Sequence, residues 1–325
     1  MLSPNTLFTA YSEEEFEMLA LQIFRFQAEN NRVYKRFLDY LNINPLEIVQ
    51  LAQIPFLPIS FFKNFEIISG AFHAEKIFTS SGTTGDNPSR HFVKDINLYH
   101  KQLEKSFKHF YGDFEDFIIF PLLPAYAERS GSSLIEMVDF WMSKTGQLNP
   151  EYYLYNHEKL AKDLIEIPAG KQAILIGVSF ALLDFAANFS MDLSKIHIIE
   201  TGGMKGRKTE ITRKELHEIL KNSFQSKQIE SEYGMTELLS QAYARKDGLF
   251  ATPPWMKIIL RDPEDPFSMV KQGKTGGINV IDFANIHSCS FIATDDLGRY
   301  HAENQLEIMG RFDNSDVRGC NLMAI

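Results

Sequence analysis

Only two cysteines, Cys289 and Cys320, occur in 325 residues. That is too few for a disulfide framework, and in a chain of this size it predicts free thiols in a reducing compartment. Long apolar runs are also missing: Ala173 to Leu183 is the longest, ends at Asp184, and is too short to span a bilayer. The chain does not open on a basic segment followed by an apolar run, so no secretory signal is expected and the expected location is cytoplasmic. Basic blocks are absent. The 33 Lys and Arg stand against 42 Asp and Glu for a net charge of -9, which argues against a nucleic-acid partner. The sequence has no internal repeat and no low-complexity tract, excluding solenoids and long linkers. The nine histidines show no HExxH spacing, and His73-Ala74-Glu75 and His301-Ala302-Glu303 lack the PCxxC of a zinc deaminase, so no transition-metal site is expected. Neither GxGxxG nor a true GxxxxGK[ST] occurs. Gly273-Lys274-Thr275 ends like the latter, but Ser268 takes its first glycine position, and the segment reads as a turn before a strand.

What is present is a run of seven small residues, Thr79-Ser80-Ser81-Gly82-Thr83-Thr84-Gly85, five of them hydroxylated. Such a run makes a poor core and a good cradle for an anion, since glycines let backbone N–H groups approach and the hydroxyls add donors. Lys76-Ile77-Phe78 before it reads as a short strand, so the loop is expected at the end of a strand of an α/β sheet. The alternative is a plain Ser/Thr/Gly surface loop. Around it, Ser12 with Glu15 forms a capping box ahead of Phe16, Leu19, Ala20, Ile23 and Phe24 at helical spacing, so residues 1 to 70 read as a helical preamble. Residues 71 to 250 alternate helical stretches with short apolar runs at Phe117, Ala173 and Ile196, predicting an α/β core with parallel strands. Residues 251 to 313 carry Pro, Asp and Gly between strand-like runs and predict a smaller β-rich unit, with 314 to 325 as a short tail.

Three further features carry chemistry. Tyr233-Gly234-Met235-Thr236-Glu237 offers an aromatic face, a glycine, a hydroxyl and a carboxylate able to hold Mg²⁺; alone it reads as readily as a strand-to-helix junction. Thr294-Asp295-Asp296-Leu297 places carboxylates after a strand, where they suit ribose hydroxyls, and Gly310-Arg311-Phe312-Asp313 supplies a cation; a charged turn and a surface ion pair are the alternatives. Ala173 to Ala181 has the outline of a nucleophile elbow at Ser179, but Ala181 breaks GxSxG and no histidine has a matching context.

Taken in order, TSSGTTG, YGMTE, TDDL and GRFD resemble the adenylate-forming superfamily of acyl-CoA synthetases, luciferases and peptide-synthetase adenylation domains. The similarity is greater to the LuxE-type acyl-protein synthetases of the bacterial fatty-acid reductase. It rests on Ile54-Pro55-Phe56-Leu57-Pro58-Ile59, Glu128 to Ser133, Tyr233 to Ser240, and the stretch from Phe283-Ala284-Asn285 to Cys320. The resemblance implies an α/β fold, that of the large N-terminal domain of these enzymes with layered sheets and helices. It further implies that Ser80, Ser81, Gly82, Thr83, Thr84 and Gly85 hold ATP phosphates. Tyr233 would stack on adenine beside Gly202, Gly203 and Gly234, Thr236 and Glu237 would meet phosphate and Mg²⁺, and Asp296 and Arg311 would engage the ribose. Asp313 falls at the superfamily's hinge.

Two departures stand out. Asp86-Asn87-Pro88-Ser89-Arg90 replaces the usual Pro-Lys-Gly, and only twelve residues follow Asp313, so the small C-terminal domain and its lysine are expected to be truncated. Mg²⁺, helix N-termini or cations such as Arg129, Lys205 and Arg207 would then meet the α-phosphate charge. By the resemblance, Cys320 carries the acyl group as a thioester, whereas Cys289 sits in an apolar strand pattern and reads as core. The expected activity is therefore AMP-forming ligation: a carboxylic acid, a fatty acid by family, is activated with ATP and Mg²⁺, passed to Cys320 and then to an acyl reductase partner. Two other readings stay open: a phenylacetate-CoA-ligase-like acyl or aryl-CoA synthetase, and a catalytically silent nucleotide-binding subunit.

Overall fold

The computed structural model describes residues 4 to 80, 87 to 124, 131 to 147, 150 to 202, 211 to 302 and 305 to 312. From the amino end the elements are α1 (Pro4–Leu7), α2 (Glu13–Asn30), α3 (Arg32–Tyr40), β1 (Leu57–Pro58) and α4 (Phe61–Asn64), then β2 (Lys76–Thr79), β3 (Arg90–Val93) and α5 (Ile96–Phe110). There follow β4 (Phe117–Leu122), α6 (Ser133–Lys144), α7 (His157–Asp163), β5 (Gln172–Val178), α8 (Ser179–Asn188), β6 (His197–Thr201), α9 (Arg213–Phe224), β7 (Glu230–Tyr233) and β8 (Ala242–Lys246). The last strands are β9 (Leu249–Ala251), β10 (Met256–Arg261), β11 (Thr275–Asp282), β12 (Phe291–Tyr300) and β13 (Leu306–Arg311). They form two compact units, one of Ala74–Gly248 and one of the described residues up to His73 and from Leu249 onward.

In the second of these, β10, β11, β12, β13 and β9 pair antiparallel in that order, and β1 adds parallel to β12. Helix α2 starts at the capping box read from the sequence: Ser12 Oγ accepts from the Glu15 amide at 3.2 Å, and the Ser12 amide donates to Glu15 Oε2 at 2.8 Å. Its apolar stripe buries Phe16, Leu19, Ala20, Ile23 and Phe24, with Phe16 stacked on Phe283 at 4.4 Å and Phe24 edge-on to Phe291 at 6.1 Å. Two buried amides tie this helix pair to the β-rich part. Gln27 donates to the Asn285 and Ile286 carbonyls and accepts from the Ser290 amide, while Asn31 caps α3 and donates to the Ser288 carbonyl. Cys289 lies here, fully buried, and burial pushes its thiol up to about 12, so it stays protonated.

In the unit Ala74–Gly248, β4, β5, β6 and β7 run parallel in that order and β8 closes antiparallel on β7. The middle strands are apolar on both faces, as a covered parallel sheet requires. Leu175, Ile198, Leu182, Phe185, Leu220 and Phe224 join β5 and β6 to α8 and α9 in one apolar cluster. A second cluster joins α5 and α6 to β4: Phe107 stacks on Phe114 at 3.9 Å and meets Phe117 and Trp141 edge-on at 5.4 and 5.2 Å. The phenylalanines at 24, 62, 78, 107, 117, 185, 224 and 283 are thus core.

Two expectations are corrected. β2 is not a strand of the large sheet; it pairs with β3 alone, Lys76 opposite Val93 through Thr79 opposite Arg90, as a separate antiparallel hairpin. Asp295 and Asp296 do not follow a strand but lie within β12, which continues to Tyr300 through a register shift at Leu297 and Gly298. Alternating burial around Asp296 lets the strand run on through a charged pair that reads locally as a turn.

Candidate active site

In sequence the hydroxyl-rich run falls between β2 and β3, and its first two residues, Thr79 and Ser80, are described. The Ser80 amide donates to the Ser89 carbonyl at 3.1 Å, and Ser80 Oγ accepts from the Ser89 amide at 2.9 Å, so Ser80 closes the loop mouth. The Thr79 amide donates to the Gly131 carbonyl at 2.8 Å. Gly131 has φ +90, and a Cβ there would fall 2.9 Å from Thr79 Oγ1, so both conformation and space require glycine. Lys76 and His100 hold Glu136 of α6 at 2.7 and 2.8 Å, and the His100 contact leads in drawing that carboxyl down to about 2. The hairpin is thereby fastened to α6. Ser81, Gly82, Thr83, Thr84 and Gly85 lie outside the described residues.

A cleft of about 390 Å³ opens beside this base. It is lined by Thr79, Ser80 and Tyr99, by Ser132, Ser133, Leu134 and Met137 at the start of α6, by Thr201 and Gly202 at the end of β6, and by Glu232, Gly234, Met235, Thr236 and Gln241 around the end of β7. Residues more than 150 positions apart in sequence thus converge at the carboxyl ends of parallel strands, where α/β sheets bind ligands. Gly202 turns the chain away with φ +71.

Glu232 stands opposite Thr201 in the β6–β7 register, and its Oε2 receives the Thr201 hydroxyl. Burial pushes the Glu232 carboxyl up to about 7; the Glu200 charge adds to this and the Thr201 hydrogen bond opposes it. Gly234 is needed for space rather than for φ, since a Cβ there would fall 2.3 Å from Glu232 Oε1 and 3.1 Å from Gln241 Cγ. Gln241 donates from Nε2 to the Leu239 carbonyl at 3.1 Å, and its buried Oε1 has no hydrogen-bond partner.

Tyr233 ends β7, and Gly234 to Gln241 connects it to β8 without leading into a helix. Its turn is closed by the Leu238 amide on the Met235 carbonyl at 3.1 Å. His91 of β3, fully buried, puts Nδ1 2.9 Å from the Thr236 carbonyl. A carbonyl only accepts, so Nδ1 carries the proton; burial pulls the imidazole down to about 4 and keeps it neutral. His91 therefore couples the hairpin to the Thr236 turn.

Of the residues singled out in the sequence, Ser80, Gly202, Gly234 and Thr236 line the one cleft, and Tyr233 and Glu237 are buried in the same connection. Asp296 and Arg311 belong to the other unit, where they are cross-strand neighbours with Arg311 Nε 3.4 Å from Asp296 Oδ1. Gly203, Asp313, Cys320, Arg129, Lys205 and Arg207 lie outside the described residues. Ser179 is no nucleophile elbow. It opens α8 buried, with its hydroxyl 2.8 Å from the Gly202 carbonyl and 3.2 Å from Glu200 Oε2, and so supports the end of β6. His91, Thr201, Glu232 and Gln241 were not singled out; His91, Thr201 and Glu232 are polar residues within β3, β6 and β7 and Gln241 immediately precedes β8, and none stands in a motif of its own.

No protein-family model matches this sequence, and no curated protein matches it at a significant level. Solved structures do match in three dimensions. The chain is similar to ATP-bound MatB from Rhodopseudomonas palustris, with a TM-score of 0.53 and 16% identity over 72% of this chain and 47% of that one. It is also similar to 2-hydroxyisobutyryl-CoA ligase in an open conformation with 2-HIB-AMP and CoA, with a TM-score of 0.67 and 10% identity over 95% of this chain and 72% of that one. The fold is that of the adenylate-forming enzymes. At such identities the likeness is one of fold, and the chain spans about half the length of MatB, 47%. Among the described residues no helix is long and apolar enough to cross a membrane, and no group of three or more His, Cys, Asp or Glu could hold a metal ion.

Proposed function

We propose that this protein activates a carboxylic acid with ATP. A carboxylate oxygen bonds to the α-phosphorus, the P–O bond between the α- and β-phosphates breaks, pyrophosphate leaves with that electron pair, and an acyl adenylate remains. The observation that carries this reading is the convergence of Ser80, Gly202, Gly234 and Thr236 on one cleft, in a fold shared with acid:CoA ligases. Catalysis of this kind rests on positioning and on donors aimed at developing charge. The base of the hydroxyl-rich loop, pinned by Ser89 and Gly131, supplies the first; the amides of residues 81 to 85 would supply the second. Mg²⁺ is normally held by one or two carboxylates together with substrate phosphates, so Glu237 alone suits a metal that arrives with the nucleotide. Tyr233 is proposed for adenine, and Asp296 with Arg311 for the ribose.

In the second step the Cys320 thiol loses its proton to solvent, its sulfur bonds to the acyl carbon, and the C–O bond to AMP breaks. The thioester then serves a partner, an acyl reductase by family resemblance. A second reading takes coenzyme A as the acceptor, favoured by the likeness to 2-hydroxyisobutyryl-CoA ligase. Incubation with ATP, Mg²⁺ and a panel of acids, followed by intact mass, separates them. A hydroxylamine-labile adduct lost in Cys320→Ala supports the thioester. Coenzyme A turnover undiminished in Cys320→Ser supports the second reading. ATP-dependent thermal stabilisation without pyrophosphate from any acid would instead mark a nucleotide-binding subunit.

A further inference from the structure

Nine of the fourteen residues around the cleft carry a hydroxyl, carboxyl or side-chain amide, against the mostly apolar lining usual for ligand pockets. Two of them carry an oxygen that no described side chain engages, and that of Gln241 is fully buried. Glu232 Oε2 is engaged by Thr201, but no described residue donates to Oε1. Gln241, only 4% exposed, spends its donor on Leu239 and leaves Oε1 without a partner. Both side chains flank Gly234, where any Cβ would strike Glu232 Oε1 and crowd Gln241 Cγ, so they share one wall of the cleft. A buried acceptor left unpaired keeps its desolvation penalty with nothing to offset it. With Glu232 Oε1 on the same wall of the cleft, the orphaned Gln241 oxygen calls for a ligand that brings a donor.

We propose that the acid taken by this cleft carries a hydrogen-bond donor, a hydroxyl or an ammonium group, received by Glu232 and Gln241, and that an unsubstituted alkanoic chain is rejected. This rests on the acid-activating reading above and departs from the fatty acid expected by family resemblance. Gln241 Oε1 can only accept, so it discriminates against acceptor-only substituents as well as against alkyl ones. The two donor classes differ in what they require of Glu232. An ammonium needs Glu232 ionised, which the free site reaches only above about pH 7, whereas a hydroxyl is served nearly as well by a neutral carboxyl or amide.

The test compares β-methyl-, β-hydroxy- and β-aminobutyrate, their γ-substituted homologues, and octanoate, in acid-dependent pyrophosphate release by the full chain. The expected result is a kcat/KM at least about 10²-fold higher for a donor-bearing acid than for its methyl isostere, since sites built around a substrate donor reject the analogue lacking it. Gln241→Met should collapse that ratio to within about tenfold by lowering turnover of the donor-bearing acid more than that of its methyl isostere, whereas a merely structural role for Gln241 would lower both alike and leave the ratio standing. Glu232→Gln should cost an amino acid about tenfold more than a hydroxy acid. Equal or better turnover of octanoate or the methyl isosteres overturns the proposal and leaves acid activation standing. If no acid releases pyrophosphate, acid activation fails, and saturation-transfer NMR decides the rest. Binding of the hydroxy or amino acids that is lost in Gln241→Met upholds the polar subsite, and equal binding of the methyl isosteres overturns it.

Discussion

Replacing Glu232 by Gln should change how stability depends on pH, with a sign set by two buried groups in the same unit. Burial pushes the Glu232 carboxyl up from 4.5 to about 7. Between those values the folded state keeps a proton that the unfolded chain has released. The stability from this group is complete below about pH 4.5 and is lost as pH rises through about 7, on the order of 3 kcal/mol in all. His91 acts in the opposite direction. Its imidazole is pulled from 6.5 down to about 4, so the unfolded chain holds the extra proton and stability rises with pH across that interval by a similar amount. In the wild type the two nearly cancel between about pH 4.5 and 6.5. Glu232→Gln keeps the size and an acceptor for Thr201 but no longer titrates, which uncovers the His91 slope. Urea unfolding at a series of pH values measures the difference between variant and wild type, in which the remaining titrating groups cancel. The variant should gain about 3 kcal/mol on the wild type between pH 4.5 and 7.5. A difference constant to within about 0.5 kcal/mol across that range would refute a buried, proton-holding Glu232.

Other consequences follow from the same geometry. Gly234→Ala puts a Cβ 2.3 Å from Glu232 Oε1; it should destabilise by about 1 to 3 kcal/mol and depress acid-dependent pyrophosphate release more than nucleotide binding. Glu136→Gln loosens the link between hairpin and α6. At pH 7 it should cost about 1 to 2 kcal/mol, and because the Glu136 carboxyl is held down to about 2, the penalty should fade as pH drops from 4.5 through 2. Gln27→Leu strips partners from the Asn285 and Ile286 carbonyls and the Ser290 amide. Its urea midpoint should fall by the equivalent of about 3 kcal/mol with the slope unchanged.

What the sequence made legible were features written over short spans. The Ser12 capping box and the α2 stripe depend on residues within one or two turns, and the parallel strands at Phe117, Ala173 and Ile196 announce themselves by apolar runs. The hydroxyl-rich loop and the Tyr233 to Glu237 run were both placed where chemistry would occur, and their ends line one cleft. The pairing partner of Lys76 to Thr79 was not legible, because register with Arg90 to Val93 is a tertiary fact and an isolated four-residue strand looks alike in a hairpin and in a sheet. Nor was the turn after Tyr233, since Leu238 and Leu239 suit a helix and only pairing of Tyr233 with Ala242 forces the reversal. His91 and Gln241 escaped notice for the same reason: each acquires meaning from a neighbour, a carbonyl 145 residues away for His91 and the small side of Gly234 for Gln241.

Acid-dependent exchange of labelled pyrophosphate into ATP tests the central claim most directly, because it reports adenylate formation whatever accepts the acyl group afterwards. The account predicts exchange that requires both Mg²⁺ and an acid, is strongest with a hydroxy or amino acid, and falls sharply in Gly234→Ala. Folded protein that binds ATP yet exchanges no pyrophosphate with any acid of the panel would contradict it.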